Sequence, residues 1–253
     1  MQATDIVQAI LRWIHVIVGI LWIGMLYFFN FVNGPLMATL DSETKKKVVP
    51  ELMPRALYWF RWGAAWTWLT GILMLLLVFF HGGLTAKATG ESNPAAYFAF
   101  AFLLVGPVIY DQLFKSPLGK DLKVGGAICF ALVAAYAIIM EQVLGLSYRA
   151  YVIHVGALFG TTMAFNVWMR IWPAQQKIIM AVKAGVAPDA AVVALAGARS
   201  RHNTYMSVPL IWTMIDAHTT FASGNIGYLL AFIAIGWMGV NHLYKLSAKV
   251  KGF

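Results

Sequence analysis

The chain has a single cysteine, Cys129, among its 253 residues. One thiol excludes an internal disulfide, every two-cysteine metal or redox motif, and the CxxCH attachment of a c-type haem. Charge is also scarce, at 11% of residues, with 10 acidic side chains against 19 basic ones. No basic face on a soluble domain is visible, so a nucleic-acid partner is not expected. No positive segment precedes the first apolar stretch, only Asp5, and no small-residue cleavage site stands before Arg12. The N-terminus therefore reads as a retained first helix rather than a removed signal peptide. Internal repeats, low-complexity tracts and an appended soluble domain are all lacking.

What the chain does have is apolar length. Hydrophobic residues make up 60% of it and mean hydropathy is +0.72, the composition of a polytopic membrane protein. Seven stretches approach the roughly 20 residues needed to cross a hydrocarbon core. They are Ile6 to Phe31, Ala56 to Phe80, Ala95 to Phe114, Val124 to Leu144, Tyr148 to Trp172, Thr204 to Ala222, and Ile226 to Tyr244. The sixth carries Pro209, Asp216 and His218. The expected fold is an all-α bundle of about seven transmembrane helices forming one integral-membrane domain over 1–253.

Positive charge sorts onto one side of this bundle. Odd-numbered connections and the tail hold Lys45, Lys46, Lys47, Arg55, Lys115, Lys120, Lys123, Lys177, Lys183, Arg199, Arg201, Lys245, Lys249 and Lys251; Arg61 and Arg170 sit in helix ends on that side. Only Arg12, Lys87 and Arg149 fall on the other. The positive-inside rule then puts the N-terminus outside and the C-terminus in the cytoplasm, as in a multi-pass protein of a bacterial inner membrane. The longest connection, 173–203, is expected to be cytoplasmic. Its PDAAVVALAGARSR run, with a proline suited to a first helical turn, suits a short helix at the interface or a solvated linker.

With that orientation, ionisable groups gather toward the outer face. His15 lies roughly 13 Å deep in the first helix, at about 1.5 Å per residue; His154 and His218 are each within roughly 10 Å of the face by the same rise. His81 ends the second stretch, and Glu141 and Asp216 lie at similar depth. Such groups cost several kcal/mol in hydrocarbon and persist there as functional or mutually satisfied groups. His15, Gly19 and Trp22 follow i, i+4, i+7 spacing and share a face. The glycine leaves room either for a flat ring against the backbone or for the close approach of another helix. Imidazole nitrogens from two helices are strong axial ligands for haem iron, so His15 and His154, with His218 able to replace either, are the candidate cofactor and metal ligands. Asp216 and Glu141 are the candidate catalytic carboxylates, the first to orient a histidine or accept a proton. A non-haem metal site built from the same groups stays open. Arg61 suits either an acidic group or snorkelling to the interface.

Three blocks, HVIVGILWIGMLYFFNFVNGPL, VVPELMPRALYWFRWGAAWTWLTGILML and RHNTYMSVPLIWTMIDAH, together resemble the membrane domain of bacterial membrane-bound urate hydroxylases. The first block is also similar, over one helix, to membrane protoporphyrinogen oxidases. The main resemblance implies a multi-helix oxidase that converts urate to 5-hydroxyisourate and passes electrons to a cytochrome c, which is fused at the C-terminus of the full-length form. It carries over to His15 and His218 and more loosely to Asp216, since Ala217 stands where the family commonly has asparagine. With no CxxCH before Phe253, the expected acceptor is a separate periplasmic cytochrome c or a partner redox subunit. The function implied is a b-type-haem redox protein acting on a small molecule, urate being the candidate. The alternative is a non-catalytic membrane anchor or electron-transfer subunit of a larger respiratory complex. Self-association stays open.

Overall fold

A computed structural model describes residues 3–88, 91–216 and 224–250. Among them the chain is all-α, with seven long helices: α1 Ala3–Thr39, α2 Ser42–His81, α3 Ala96–Leu113, α4 Leu122–Val143, α5 Tyr148–Lys183 and α7 Ile226–Ser247, with α6 Ala190–Asp216 between the last two. All but α6 are long and apolar enough to cross a membrane. The exception has a physical reason, because α6 carries Arg199, Arg201, His202 and Asn203 near its middle and closes on Asp216. Bulky apolar side chains such as Phe98, 74% exposed, and Ile20 stand outward, as lipid-facing residues do and as a water-facing surface of this extent would not.

Several helices run past the limits that apolarity suggests. Helix α2 starts at Ser42, so Lys45 to Lys47 and Arg55 are helical, with Pro50 and Pro54 accommodated inside. Asp41 starts it: its carboxylate accepts from the Thr44 backbone N–H at 2.9 Å and from the Thr44 hydroxyl at 2.6 Å. These bonds hold the Asp41 carboxyl below its ordinary range, so the cap is intact at neutral pH and is lost as pH falls through that lowered value. In the segment 173–203, α5 continues to Lys183 and the alanine-rich run forms the first turns of α6, leaving 184–189 as the connection. Helix α6 also runs through Pro209 without a break.

Wide π-helical turns occur at Phe28–Asn33, Leu75–His81, Ile139–Val143 and Val167–Ile171. Two have a local cause. Pro35 and Pro173 follow closely, and a proline ring collides with the carbonyl four residues back, which here lies inside the widened turn. The turn at Ile139–Val143 carries Glu141, and that at Leu75–His81 carries Phe79, Phe80 and His81.

The described chain forms two compact units. One comprises 1–12, 70–162 and 208–235; the other 13–69, 163–207 and 236–253. In the first, the connections after α2 and α4 are tied together. Ser147 donates to the Leu84 carbonyl at 2.9 Å, Asn93 donates to the Leu144 carbonyl at 2.6 Å, and Ala86 pairs with Leu146. In the same unit α5 meets α6 where Gly156 faces Thr213, closely enough that a Cβ at Gly156 would overlap the Thr213 hydroxyl and touch Met214. In the second unit Gly63 plays this part for Trp22, whose backbone N would lie 3.3 Å from an added Cβ.

Gly156→Ala is therefore expected to lower stability by about 1–3 kcal/mol through overpacking, read as a fall in the thermal midpoint in detergent. Gly160→Ala, where the nearest atom is Leu210 Cδ1 at 3.8 Å, should change it little.

Candidate functional site

Helix α5 is the most enclosed of the six apolar helices, with 67% of its most apolar stretch buried against 11% for α1. Polar groups on it are consequently committed to the interior. Thr161 and Thr162 resolve this locally, donating to the Ala157 and Leu158 carbonyls at 2.7 and 2.8 Å. His154 does so only in part. Its ring is fully buried, and Nδ1 lies 2.7 Å from the Ala150 carbonyl. A carbonyl can only accept, so the proton sits on Nδ1 and the lone pair of a singly protonated ring falls on Nε2. That Nε2 is buried and has no hydrogen-bond partner. The edge of Phe80 steadies the ring, with centroids 5.8 Å apart and planes inclined at 61°.

Other groups of the first unit surround this nitrogen's helix. Tyr148 and Tyr151 precede His154 at helical spacing, their rings perpendicular with centroids 5.2 Å apart. Tyr151 is 1% exposed. Tyr148 lies against the Asp216 carboxylate, and Tyr151 feels the charges of both Asp216 and Glu141. Asp216, the last residue of α6, is buried, whereas Glu141 is half-buried in its π turn. His81 is exposed. His218 lies outside the described residues, and among those described no group of three or more His, Cys, Asp and Glu side chains is placed to hold a metal ion.

His15 belongs to the second unit, and its surroundings are those of helix packing. It is half-buried and hydrogen-bonds to the Thr67 backbone. A Cβ at Gly19 would meet Thr67 Cγ2 at 3.8 Å, an ordinary contact, and Trp22 is buried against Gly63. The shared face of His15, Gly19 and Trp22 is thus laid on α2. Arg61 stacks its guanidinium 4.0 Å over the Trp172 ring and 5.6 Å from Tyr58, while its carbonyl accepts from the Trp168 indole at 3.1 Å.

Sequence reasoning missed two features. One is the tyrosine pair on α5, visible in YRAYVIH but given no role by the sequence alone. The other is a polar layer in the second unit, where fully buried Asn166 donates to Asn203 at 2.8 Å, Asn203 donates to the Met163 carbonyl at 3.0 Å, and Tyr244 donates to Asn30 at 2.8 Å. Lone asparagines carry no spacing signal, so only contact reveals them.

Asn203→Ala removes both of its bonds at a buried position and should cost about 1–3 kcal/mol, measurable as a lower unfolding midpoint. Spectral and ligand-binding properties residing in the first unit should survive it.

One protein-family model matches the chain, described as urate oxidase N-terminal, over residues 40–252. The match takes in His154, Glu141, Asp216 and both tyrosines and begins after His15, Gly19 and Trp22. No curated protein and no solved structure matches.

Proposed function

The chain belongs to the urate oxidase N-terminal family, and from that premise we propose that it is a multi-pass oxidoreductase of a bacterial inner membrane that holds a b-type haem through His154. It oxidises a small substrate, urate in the first instance, and hands the electrons to a periplasmic cytochrome c or a partner redox subunit. The single observation that carries this reading is the buried, unpartnered Nε2 of His154.

The residues fit the group. An axial ligand needs a ring nitrogen with a free lone pair, oriented by a bond from the other nitrogen. The Ala150 carbonyl supplies that orientation, and Phe80 limits rotation of the ring. Haem needs one or two such nitrogens, whereas a bare catalytic ion needs three or more converging ligands, and His154 offers one. When bound, haem supplies one-electron transfer in a low-dielectric setting. The chain's own groups do the rest. His154 holds the cofactor, and Asp216, buried beside Tyr148, is the group placed to take a proton from a substrate losing electrons. Glu141, half-buried nearby in the same unit, lines the approach.

A reduced-minus-oxidised spectrum of the purified wild-type protein should show a b-type haem band. His154→Ala should lose most of the bound pigment, while His81→Ala, at an exposed position, should retain it. A folded wild-type protein without pigment sinks the haem reading, and pigment unchanged in His154→Ala sinks the ligand assignment.

A further inference from the structure

Arg61 is half-buried on α2 and belongs to the second unit, apart from the groups that surround His154. Its guanidinium lies 4.0 Å over the Trp172 ring of α5 and 5.6 Å from Tyr58, and its Nε is buried with no hydrogen-bond partner. Aromatic faces attract the charge but leave the in-plane N–H groups without an acceptor. Among the described residues the ion pairs join Lys47 to Glu43, Arg55 to Glu51 and Lys115 to Asp111, and none includes Arg61. The two helices that frame it offer no acid either. Helix α5 has none over Tyr148–Lys183. The nearest on α2 is Glu51, roughly 15 Å back along the helix at about 1.5 Å per residue and already paired.

Depth and surroundings narrow what can supply the missing negative charge. Helix α2 continues beyond Arg61 to His81, roughly 30 Å at about 1.5 Å per residue, which is the thickness of one hydrocarbon core. Arg61 thus stands near one edge of the apolar layer. Around it on α2, Tyr58, Trp59, Trp62 and Trp66 are 41–56% exposed, and Trp62 meets Trp168 of α5 edge to face at 5.5 Å. Tryptophan and tyrosine collect at the headgroup level of membranes, and a wall this apolar faces lipid rather than a water-borne acidic protein. The anion at hand in that place is a lipid phosphate. Its oxygens can take two N–H groups of one guanidinium at once.

We propose that Arg61, framed by Tyr58 and Trp172, binds the headgroup phosphate of an anionic phospholipid at the seam of α2 and α5, with the acyl chains along the exposed tryptophans of α2. Trp168 closes this seam by donating its indole N–H to the Arg61 carbonyl at 3.1 Å, so the cation is presented from a fixed backbone. Arg170, two residues before Trp172, adds a second positive charge on α5. Cations on both helices favour a headgroup of net negative charge over a zwitterionic one. The site lies wholly in the second unit and stands or falls independently of the haem reading.

The test uses the intact protein, delipidated in a neutral detergent, with phosphatidylglycerol, phosphatidylcholine or inorganic phosphate added. Native mass spectrometry should show the wild type retaining phosphatidylglycerol in preference to phosphatidylcholine, and phosphatidylglycerol should raise the thermal midpoint more. Arg61→Gln should weaken that retention about tenfold, the size of one lost charge-assisted hydrogen bond. Arg61→Lys keeps the charge without the planar fork and should recover only part of it. If Arg61→Gln fails to fold, Arg61→Lys gives the readout. Lys47→Gln removes an exposed cation from the same helix and should retain the lipid as the wild type does. Phosphatidylglycerol held equally by the wild type and the folded Arg61 variants overturns the proposal. An equal loss in Lys47→Gln also overturns it, because that is the mark of general surface attraction. Inorganic phosphate that raises the midpoint as much as phosphatidylglycerol overturns the lipid assignment in favour of a soluble anion.

Discussion

An apolar bundle offers no water to its interior, so each polar atom there must find a protein partner or be kept for something else. Most polar groups of this chain obey the first half of that sentence. Thr67 donates to the Gly63 carbonyl at 2.7 Å, Thr162 to Leu158, and the asparagines of the second unit to one another and to backbone. Exceptions occur in both units, the Trp22 indole nitrogen and Arg61 Nε among them, and two stand close together on α5. Tyr151 and His154 each place a polar atom in the interior without giving it a formed hydrogen bond. On His154 that atom is a ring nitrogen, the one kind of unused capacity here that can bind a cofactor.

The tautomer of His154 converts that capacity into chemistry. A histidine whose Nε2 donated to a neighbour would be a packing element with no lone pair to offer. Here the Ala150 carbonyl one turn back takes the Nδ1 proton, a bond any helical histidine in the right rotamer can make, and the remaining lone pair points away from its own backbone. The same local geometry satisfies Thr161 and Thr162 completely, because a hydroxyl has one proton to place. An imidazole has a second nitrogen, which is why histidine and not threonine is the residue of α5 that reaches outward.

The architecture was largely legible in the sequence, because hydrophobic length is a strong and local signal. Each of the seven apolar stretches coincides with one of the seven helices, overrunning α3 and α4 by a residue at an end, and the sixth continues past Asp216 beyond the described residues. What hydropathy misjudged were the ends. Lys45 to Lys47 are polar yet helical, and the helix expected in the PDAAVVALAGARSR run is not separate but opens α6 from Ala190, since a helix needs satisfied backbone bonds and good propensity and does not stop where apolarity does. His154 stood out by rarity alone. The tyrosines did not, because tyrosine is common in membrane helices and its meaning depends on whether a partner lies within about 3 Å, a fact no spacing encodes.

The histidines also separate more clearly than their common spacing suggested. His15 and His154 lie on different helices with glycines nearby, and sequence gives them equal claim as ligands. Their environments differ. The face that carries His15 is occupied by packing: the ring is bonded to the Thr67 backbone, Gly19 rests on Thr67 and Trp22 on Gly63. Gly63 therefore makes room for helix against helix, the role small residues have in membrane bundles. On α5 the glycine at 156 is likewise used by Thr213, so glycines explain neither histidine's function. What distinguishes the two is burial: the His154 ring is fully enclosed with its Nε2 unpartnered, whereas His15 is half-buried, and that difference favours the histidine within the matched family region over the one that precedes it.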